Sequence, residues 1–366
     1  MTQSSTRQLP LLPQLRMGLL LSLPLLLIIN SIIWSAYNML MSAQRELWRS
    51  QAESGLDAAV ITIEEIRNDL HGDLFMLAGS PTLKAALNGA TPAQMSRLAS
   101  EWEVFAAIKR RYDQIRWIDN WGMERLRVNL TAQGAHRIPD ELLQDKSGRY
   151  YYKEAISLPD GQVYASPVDL NIEHGEIEQP YKPMLRLAVP VTDSSGERRG
   201  LLVVNVLAQY ILDNLARHAG LSQSHLLMID PAGYYLRGFH QAQEWGFMFK
   251  LEDDADYRFD KRYPSIWRQV VDEGVGKVDS PQGQFLFRTI RYGTEGFSHR
   301  YFLLAAVLPS ELVGYRVAQR RLWLSVSLAV SLALIILSLM LARYLACCRR
   351  AEEPPGQNGL VEHSDP

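Results

Sequence analysis

Two long apolar stretches, one near each end of the chain, constrain its organisation more than any other feature. Met17–Met39 and Leu322–Leu345 are almost wholly apolar, and each reaches the roughly 20 residues that a helix needs to cross a bilayer. The first stretch is longer than a signal-peptide core and lacks a clear small-residue cleavage site, so we interpret it as a retained anchor. Two crossings would place both tails on one side of the membrane and the long central segment on the other.

Charge and cysteine usage indicate where the central segment lies. Arginines flank both apolar stretches on both sides, so the positive-inside rule does not fix the orientation, but long loops translocate largely regardless of charge. The two cysteines, Cys347 and Cys348, both lie at the C-terminal membrane edge, which permits an extracytoplasmic segment without disulfides. The net charge of −2 and the lack of a basic patch argue against nucleic acid as a partner.

The segment after the first crossing has the periodicity of a long amphipathic helix. Apolar residues recur there every three or four positions between charged ones: Leu56, Val60, Ile63, Ile66, Leu70, Leu74 and Leu77. Gly79-Ser80-Pro81 ends this pattern, and Thr91-Pro92 supplies an N-cap and a first-turn proline for another helix. The sequence therefore predicts a stalk helix that continues out of the membrane.

Alternating segments then predict two antiparallel sheets in series, and hence an α+β fold. The first sheet would contain a hairpin of Gln114–Asp119 and Met123–Leu130, followed by strands at Met184–Val191 and Leu201–Val206. A shorter copy of this scheme uses His225–Asp230, Tyr234–Gly238, Phe285–Tyr292 and Tyr301–Leu308. Pro309 begins a helix that we expect to enter the second crossing without a break. Ser327 and Ser331 in that crossing either contact another helix or face lipid.

The stretch Lys146–Val206 contains the best candidate for a binding site. Arg149 offers a rigid fork of donors for a carboxylate, and the neighbouring tyrosines can supply apolar walls with polar tips. The tyrosines can equally be packing residues. Asn205, at the end of a buried strand, requires a partner that is either a backbone group or a ligand.

No constellation of residues indicates an enzyme, a metal site or a cofactor. The histidines lack the spacing of a zinc hydrolase. Gly274–Lys277 lacks the remaining residues of a phosphate-binding loop and is expected to be a plain turn. The acidic run Glu252–Asp256 lacks the glycine and distant glutamate of a calcium loop, so we interpret it as a solvated loop.

The order of elements and several local motifs resemble the double Cache family, the extracytoplasmic sensor regions of bacterial histidine kinases, diguanylate cyclases and chemoreceptors. The likeness covers roughly residues 47–312 and includes RYYYKEA (Arg149–Ala155), VYASPVDLN (Val163–Asn171) and GLLVVNV (Gly200–Val206). It implies a two-pass protein of the bacterial inner membrane in which a stalk helix carries two tandem PAS-like modules in the periplasm. The expected divisions are a cytoplasmic tail (1–16), a transmembrane helix (17–39), the stalk (40–88), a membrane-distal module (89–215), a membrane-proximal module (216–312), a connecting and transmembrane helix (313–345) and a disordered tail (346–366).

The resemblance also implies a ligand pocket in the distal module. Amino-acid-binding members have an arginine, an aromatic pair, a tyrosine on the following strand and an aspartate on the last strand. The first four positions are matched by Arg149, Tyr151, Tyr152 and Tyr164, but Asn205 stands where the aspartate would hold an ammonium group. Asp169 is a possible substitute for that aspartate, and a simple carboxylate or another small anion fits the pattern at least as well.

The expected function is therefore that of a non-catalytic sensor. Family members normally continue after the second crossing into an output domain, whereas this sequence ends in a short polar tail. We expect a small-molecule ligand and a separate signalling protein, or a homodimer formed through the stalk and membrane helices, as partners. In the alternative, the Cache region binds no ligand and serves as a scaffold or regulatory partner of a sensor kinase or diguanylate cyclase.

Overall fold

The structure is a computed structural model that describes residues 11–173, 175–221, 226–249, 251, 253–292, 299–307 and 309–351. It divides into two compact units, Met1–Trp48 with Ser310–Pro366, and Arg49–Pro309. The described part of the chain contains two helices that are long and apolar enough to cross a membrane, within Ser22–Ala78 and Val317–Leu345. Residues 1–10 of the expected first tail and 352–366 of the expected second tail lie outside the described residues.

The two apolar stretches belong to the two longest helices. Helix α1 spans Leu11–Ala78 without a break and so includes the first apolar stretch and residues 40–78 of the expected stalk (40–88), and α8 spans Pro309–Ala351. In the first unit, Asn30 of α1 donates from Nδ2 to Ser331 Oγ at 3.1 Å, and Ser327 Oγ donates to Asn30 Oδ1. The two serines therefore contact another helix, which satisfies polar groups that lipid could not.

Two helices follow the stalk. The Thr91-Pro92 pair predicted the second of them, whereas the first was not predicted from the sequence. Ser80 caps α2 (Pro81–Leu87) by accepting from the backbone of Leu83. Thr91 and Gln94 form a complete capping box at the start of α3 (Pro92–Lys109), an arrangement that satisfies two otherwise unpaired backbone donors. Helix α3 packs against the first three strands of the sheet that follows.

The first sheet is antiparallel, and its path runs β3-β2-β1-β9-β8-β4, with β5 also pairing with β8. Its strands are β1 (Tyr112–Ile118), β2 (Glu124–Thr131), β3 (Gly134–Arg137), β4 (Tyr164–Ala165), β5 (Asp169–Leu170), β8 (Pro183–Thr192) and β9 (Arg198–Leu207). Helix α4 (Tyr150–Ala155) lies across it, and the small hairpin of β6 (Ile172–Glu173) and β7 (Glu176–Ile177) lies between β5 and β8 in the chain. The predicted hairpin and both long strands are present.

The second sheet has the order β11-β10-β14-β13-β12. Helix α5 (Ala208–His218) precedes β10 (Leu226–Ile229) and β11 (Tyr235–Arg237). After β11 come α6 (Phe259–Arg262), α7 (Pro264–Glu273), β12 (Val275–Ser280), β13 (Gly283–Tyr292) and β14 (His299–Val307). The expectation of a plain turn at Gly274–Lys277 is wrong beyond Gly274. That glycine ends α7 with a left-handed backbone, but Val275 begins an edge strand that pairs with β13 along its whole length.

Gly200 in β9 has no room for a side chain, so replacing it with alanine should be costly. Its φ of +116° disfavours any other residue, and a Cβ atom there would overlap the carbonyl oxygen of Ile118. Gly134 has a similar φ of +125° but open space around it. We expect Gly200→Ala to lower the free energy of unfolding by about 2 kcal/mol more than Gly134→Ala does, because only Gly200→Ala adds a backbone clash. Chemical denaturation of both variants measures the difference, and equal losses would contradict this packing.

One face of the first sheet changes from apolar to polar along its strands. Register places Ile118 opposite Leu201, Arg116 opposite Val203 and Gln114 opposite Asn205, so all six side chains share that face. Helix α4 covers the apolar part, where Tyr151, Tyr152 and Tyr164 join Ile118, Leu201 and Val203 in one core cluster. The polar part borders a cavity.

Candidate functional site

The cavity beside α4 has a volume of about 330 Å³, within the range of small-ligand pockets. Its described lining comes from β1, β8 and β9 of the first sheet, from the loop before α4 and from the β6–β7 hairpin. The lining residues are Gln114, Arg116, Gln144, Asp145, Lys146, Arg149, Tyr151, Asn171, Ile172, Glu173, Gly175, Arg186 and Asn205. Four of them are cationic and two are acidic.

Three arginines surround the ring of Tyr151. The guanidinium carbons of Arg116, Arg186 and Arg149 lie 5.4, 5.8 and 5.9 Å from the ring centre, distances at which a cation is attracted to an aromatic ring. Tyr151 also accepts a hydrogen bond of 3.0 Å from Arg116 Nη1 through its hydroxyl. The buried tyrosine thus holds three positive groups along one wall of the cavity.

Arg116 and Arg186 are buried and have partners within the protein. Arg116 Nη2 donates to Asn205 Oδ1, and Asn205 Nδ2 donates to Gln114 Oε1 at 3.3 Å. Arg186 Nη1 donates to Asp169 Oδ1 at 2.6 Å. Among the described residues, the side chain of Asn205 therefore bonds to side chains of β1 and not to the backbone group that was one of its two expected partners.

Arg149 differs from these two arginines. It is the N-cap residue of α4, where its side chain, which has donors only, cannot cap the helix, and it is only partly buried. No carboxylate of the described residues lies within ion-pair distance of its guanidinium. A charged fork of donors in a cavity lining, with no carboxylate partner among the described residues, is suited to bind an anion that enters from solvent.

Lys146 adds a fourth positive group to the lining, close to other charged side chains. Burial, and after it the positive charge of Arg116, lowers the pKa of Lys146 below its ordinary value. Its ammonium lies 3.9 Å from Glu124 Oε1, a fully buried carboxylate that also accepts from Arg127 at 3.1 Å. An anion bound beside Lys146 would relieve the repulsion from Arg116.

The two acidic groups of the lining do not balance its four cationic groups. Glu173 accepts from Asn171 at 3.2 Å and from Gln114 at 3.5 Å, and Asp145 is exposed and accepts from the backbone of Ser147. Asp169 is not in the described lining; it pairs with Arg186 and accepts from Tyr150. The electrostatics of the described lining favour an anionic ligand over a cationic one.

The structure brings together three of the six residues that the sequence singled out. Arg149, Tyr151 and Asn205 line the cavity. Tyr152 and Tyr164 are not in its described lining: Tyr152 donates to the backbone of Asp119, and Tyr164 donates to Glu154 at 2.7 Å. Burial, and then Glu154, raises the pKa of Tyr164, which keeps it a neutral donor. These two tyrosines hold α4 against the sheet.

Sequence reasoning missed Arg116, Lys146 and Arg186 as lining residues. Arg186 is the one charged residue of β8 and Arg116 alternates with apolar residues in β1, a pattern that also fits a solvent-facing position. Their registers opposite Val203 and Asn205 bring them to the cavity, and such long-range pairing has no local signal.

Comparison with known proteins gives a consistent pattern. A family model of the sensor domain of bacterial histidine kinases matches residues 54–301, more than half of the chain. The extracellular domain of a protein assigned as a histidine kinase is 25% identical, with a TM-score of 0.61, over 73% of this chain and 94% of that one. A domain assigned to the sensory box/GGDEF family of Vibrio parahaemolyticus is also 25% identical, with a TM-score of 0.60, over 73% and 97%.

A more distant relative shares the fold alone. The ligand-binding domain of the chemoreceptor Tlp3 of Campylobacter jejuni, in complex with L-valine, is 12% identical, with a TM-score of 0.50, over 74% of this chain and 96% of that one. The comparison with curated proteins gives no match.

Proposed function

Because the chain belongs to the family of bacterial histidine kinase sensor domains, we propose that it is a membrane-anchored sensor whose first module (residues 89–215) binds a small anion. The ligand would carry at least one carboxylate and would occupy the cavity beside α4. Binding there would change the conformation of the module, and this change would be relayed to a separate signalling protein. The proposal assigns the chain a binding role and no catalytic one.

The observation that carries this proposal is the positive charge that Arg149 contributes to the cavity. Four cationic side chains line it, and Arg149 has no carboxylate partner among the described residues. Charge-assisted hydrogen bonds to a carboxylate are about twice as strong as neutral ones. Arg149 and Lys146 would therefore bind the anion directly, and Tyr151 and Asn205 would contact it or hold Arg116 in place.

The other predicted site residues would act indirectly. Asp169 would position Arg186, whereas Tyr152 and Tyr164 would keep α4 at a fixed distance from the sheet. An ammonium group would find neither of the two carboxylates that the family pattern offered, since Asn205 replaces the acid and Asp169 is paired with Arg186. The ligand is thus expected to be a carboxylate without a neighbouring positive charge.

Two hydrogen bonds support a relay from the first module to the second. The backbone amide of Val168 donates to Tyr301 Oη at 3.1 Å, and His299 donates from Nε2 to the carbonyl of Ala165 at 3.0 Å. Ala165 and Val168 flank Ser166, whose hydroxyl accepts from the amide of Arg186. His299 and Tyr301 belong to β14, the last strand before α8 in the chain. A displacement of Arg186 would therefore reach β14 through Ser166 and its neighbours.

The proposed placement follows the division expected from the sequence. Residues 17–39 and the apolar part of the connecting and transmembrane helix (313–345) would span the inner membrane of a bacterium, and the segment between them would be periplasmic. Residues 89–215 would form the membrane-distal module that holds the ligand, and residues 216–312 the membrane-proximal module. A coupling of about 1–3 kcal/mol between ligand and partner would suffice for a useful response.

Ligand screening of the chain in detergent micelles tests the proposal. We expect mono- and dicarboxylates to raise the unfolding temperature, and polyamines to leave it unchanged. Arg149→Ala should weaken carboxylate binding by about 10- to 100-fold, because it removes a charge-assisted pair worth about 1.5–3 kcal/mol. Arg137→Ala, which removes an arginine outside the cavity that pairs with an exposed aspartate, is the matched control. If no carboxylate binds, or if Arg149→Ala binds as the parent does, the proposed site is wrong.

A ligand-free scaffold is the second candidate, and one observation favours it. Arg116 and Arg186 already have protein partners, so most of the site is satisfied without a ligand. Crosslinking from α8 separates the two candidates. A scaffold would capture its signalling partner equally well with and without carboxylate, whereas the yield from a sensor would change.

A further inference from the structure

A second polar cavity lies between α5 and the end of β11, and none of its residues belongs to the site described above. Its volume is about 220 Å³, several times the roughly 30 Å³ that one water occupies in the liquid. Leu212 and Phe239 give the lining an apolar part, and Arg237, Glu244 and Asp213 give it a charged part.

Arg237 is the unusual member of this lining. Its residue is only 8% exposed, and its one hydrogen bond is a long contact of 3.4 Å from Nη1 to the carbonyl of Leu212. The Nε atom is buried and has no hydrogen-bond partner. Among the residues that the structure describes, no carboxylate lies within ion-pair distance of this guanidinium, and a buried charge left unpaired is strongly destabilising.

The two acids that line the cavity are held away from Arg237. Asp213 accepts from Gln209 at 2.8 Å on the exposed side of α5, and Glu244 accepts from the backbone of Gly238 at 3.2 Å. Burial raises the pKa of Glu244 to about 7, although the nearby charge of Arg237 opposes that rise. At mildly acidic pH, Glu244 is therefore neutral and can donate a hydrogen bond.

We propose that this cavity is a second ligand site, specific for a small monocarboxylate that is bound by Arg237 and Glu244. The planar guanidinium matches a carboxylate better than it matches a spherical ion. Leu212 and Phe239 would contact the short apolar part of the ligand, and the cavity volume suits a molecule of the size of acetate or propionate. This inference does not rest on the function proposed for the first module.

Binding at this site should depend on pH. Of the described lining residues, Asp213 of α5, Arg237 of β11 and Glu244 carry or can carry charge. Ionised Glu244 repels a carboxylate, whereas protonated Glu244 donates to it. Affinity should thus rise as the pH falls through about 7, with the uptake of one proton on binding.

Calorimetric titration of the full chain in detergent micelles with sodium acetate tests this inference. The measurement uses the Arg149→Ala background, which weakens the first site, at pH 6 and pH 8 and at constant ionic strength. We expect acetate to bind at least fivefold more tightly at pH 6, and the added Arg237→Gln substitution to weaken it at least tenfold. Acetate binding that is absent at pH 6, or unchanged by Arg237→Gln, would overturn the proposal.

Two further measurements keep the test decisive if Arg237→Gln fails to fold. Glu244→Gln keeps the shape of the side chain and is always neutral, so acetate affinity should become the same at pH 6 and pH 8. A pH dependence that persists in Glu244→Gln contradicts the proposed role of this residue. Chloride, a spherical anion, should bind at least tenfold more weakly than acetate, and equal binding would show a non-selective anion site. A negative result at this second site would not change the expected effect of Arg149→Ala on carboxylate binding at the first site. The two proposals can therefore be disproved separately.

Discussion

Replacing Glu124 with glutamine is expected to lower the free energy of unfolding by about 3–5 kcal/mol, the range found when one partner of a buried ion pair is removed. The Glu124 side chain is fully buried, with Arg127 at 3.1 Å, Arg116 at 3.7 Å and Lys146 at 3.9 Å. Glutamine would keep the shape and one acceptor but would leave these three cations without a central counter-ion. Urea denaturation of the parent and the variant in detergent micelles measures the loss.

The matched control for this prediction is Asp140→Asn. Asp140 accepts from Arg137 at 2.6 Å, but its side chain is 70% exposed, so the same change of charge should cost less than about 1 kcal/mol. A loss below 1 kcal/mol for Glu124→Gln would show that water or relaxation of the cluster already compensates these charges.

The same substitution is expected to affect the candidate ligand site in the opposite direction. Glu124 also accepts from the amide of Gln144 at 3.1 Å, which ties the loop that carries Lys146 to the start of β2. Glutamine retains an oxygen for this bond, so the loop should keep its place. With the central negative charge gone, carboxylates should bind a few times more tightly to the protein that remains folded.

The sequence predicted the elements of the fold where their signals are local. The stripe from Leu56 to Leu77 predicted the stalk part of α1, and the Thr91-Pro92 pair predicted the first turn of α3. Alternation predicted the long strands of both sheets. The edge strand that begins at Val275 gave no such signal, because its six residues include a glycine and three polar residues and no side of it is fully buried.

The candidate site could be predicted only in part, because it is assembled by pairing between distant strands. Arg149 and Tyr151 lie close in sequence and act from one short helix, so their type and spacing sufficed. Arg116 and Arg186 are 70 positions apart and reach the same cavity only through their separate registers with β9. A one-residue slip of either strand would turn the arginine to the other face.

Replacing Asp73 with asparagine is the second large effect that we expect, at about 3 kcal/mol at pH 7. Asp73 lies on the stalk helix and accepts from Lys109 at 2.7 Å, from Tyr112 Oη at 2.7 Å and from Arg111 Nη2. Arg111 is itself buried, so the loss of its close carboxylate leaves a poorly compensated charge between the stalk and the first sheet. Asp69→Asn is the control, since that exposed carboxylate lies 3.4 Å from the same arginine and should matter by less than about 1 kcal/mol.

The effect of Asp73→Asn should also depend on pH with a definite sign. Burial alone would raise the pKa of Asp73, but hydrogen bonds from Lys109, Arg111 and Tyr112 outweigh it and hold the pKa below its ordinary value of 3.8. A carboxyl group with a lowered pKa stabilises the folded state at pH values above its unfolded pKa, and this contribution is lost as the pH falls through the folded pKa. The gap in unfolding free energy between parent and variant should therefore be full at pH 7 and narrow below about pH 4. A gap that stays constant from pH 7 to pH 3 would mean that Asp73 acts through shape and not through charge, because asparagine cannot titrate.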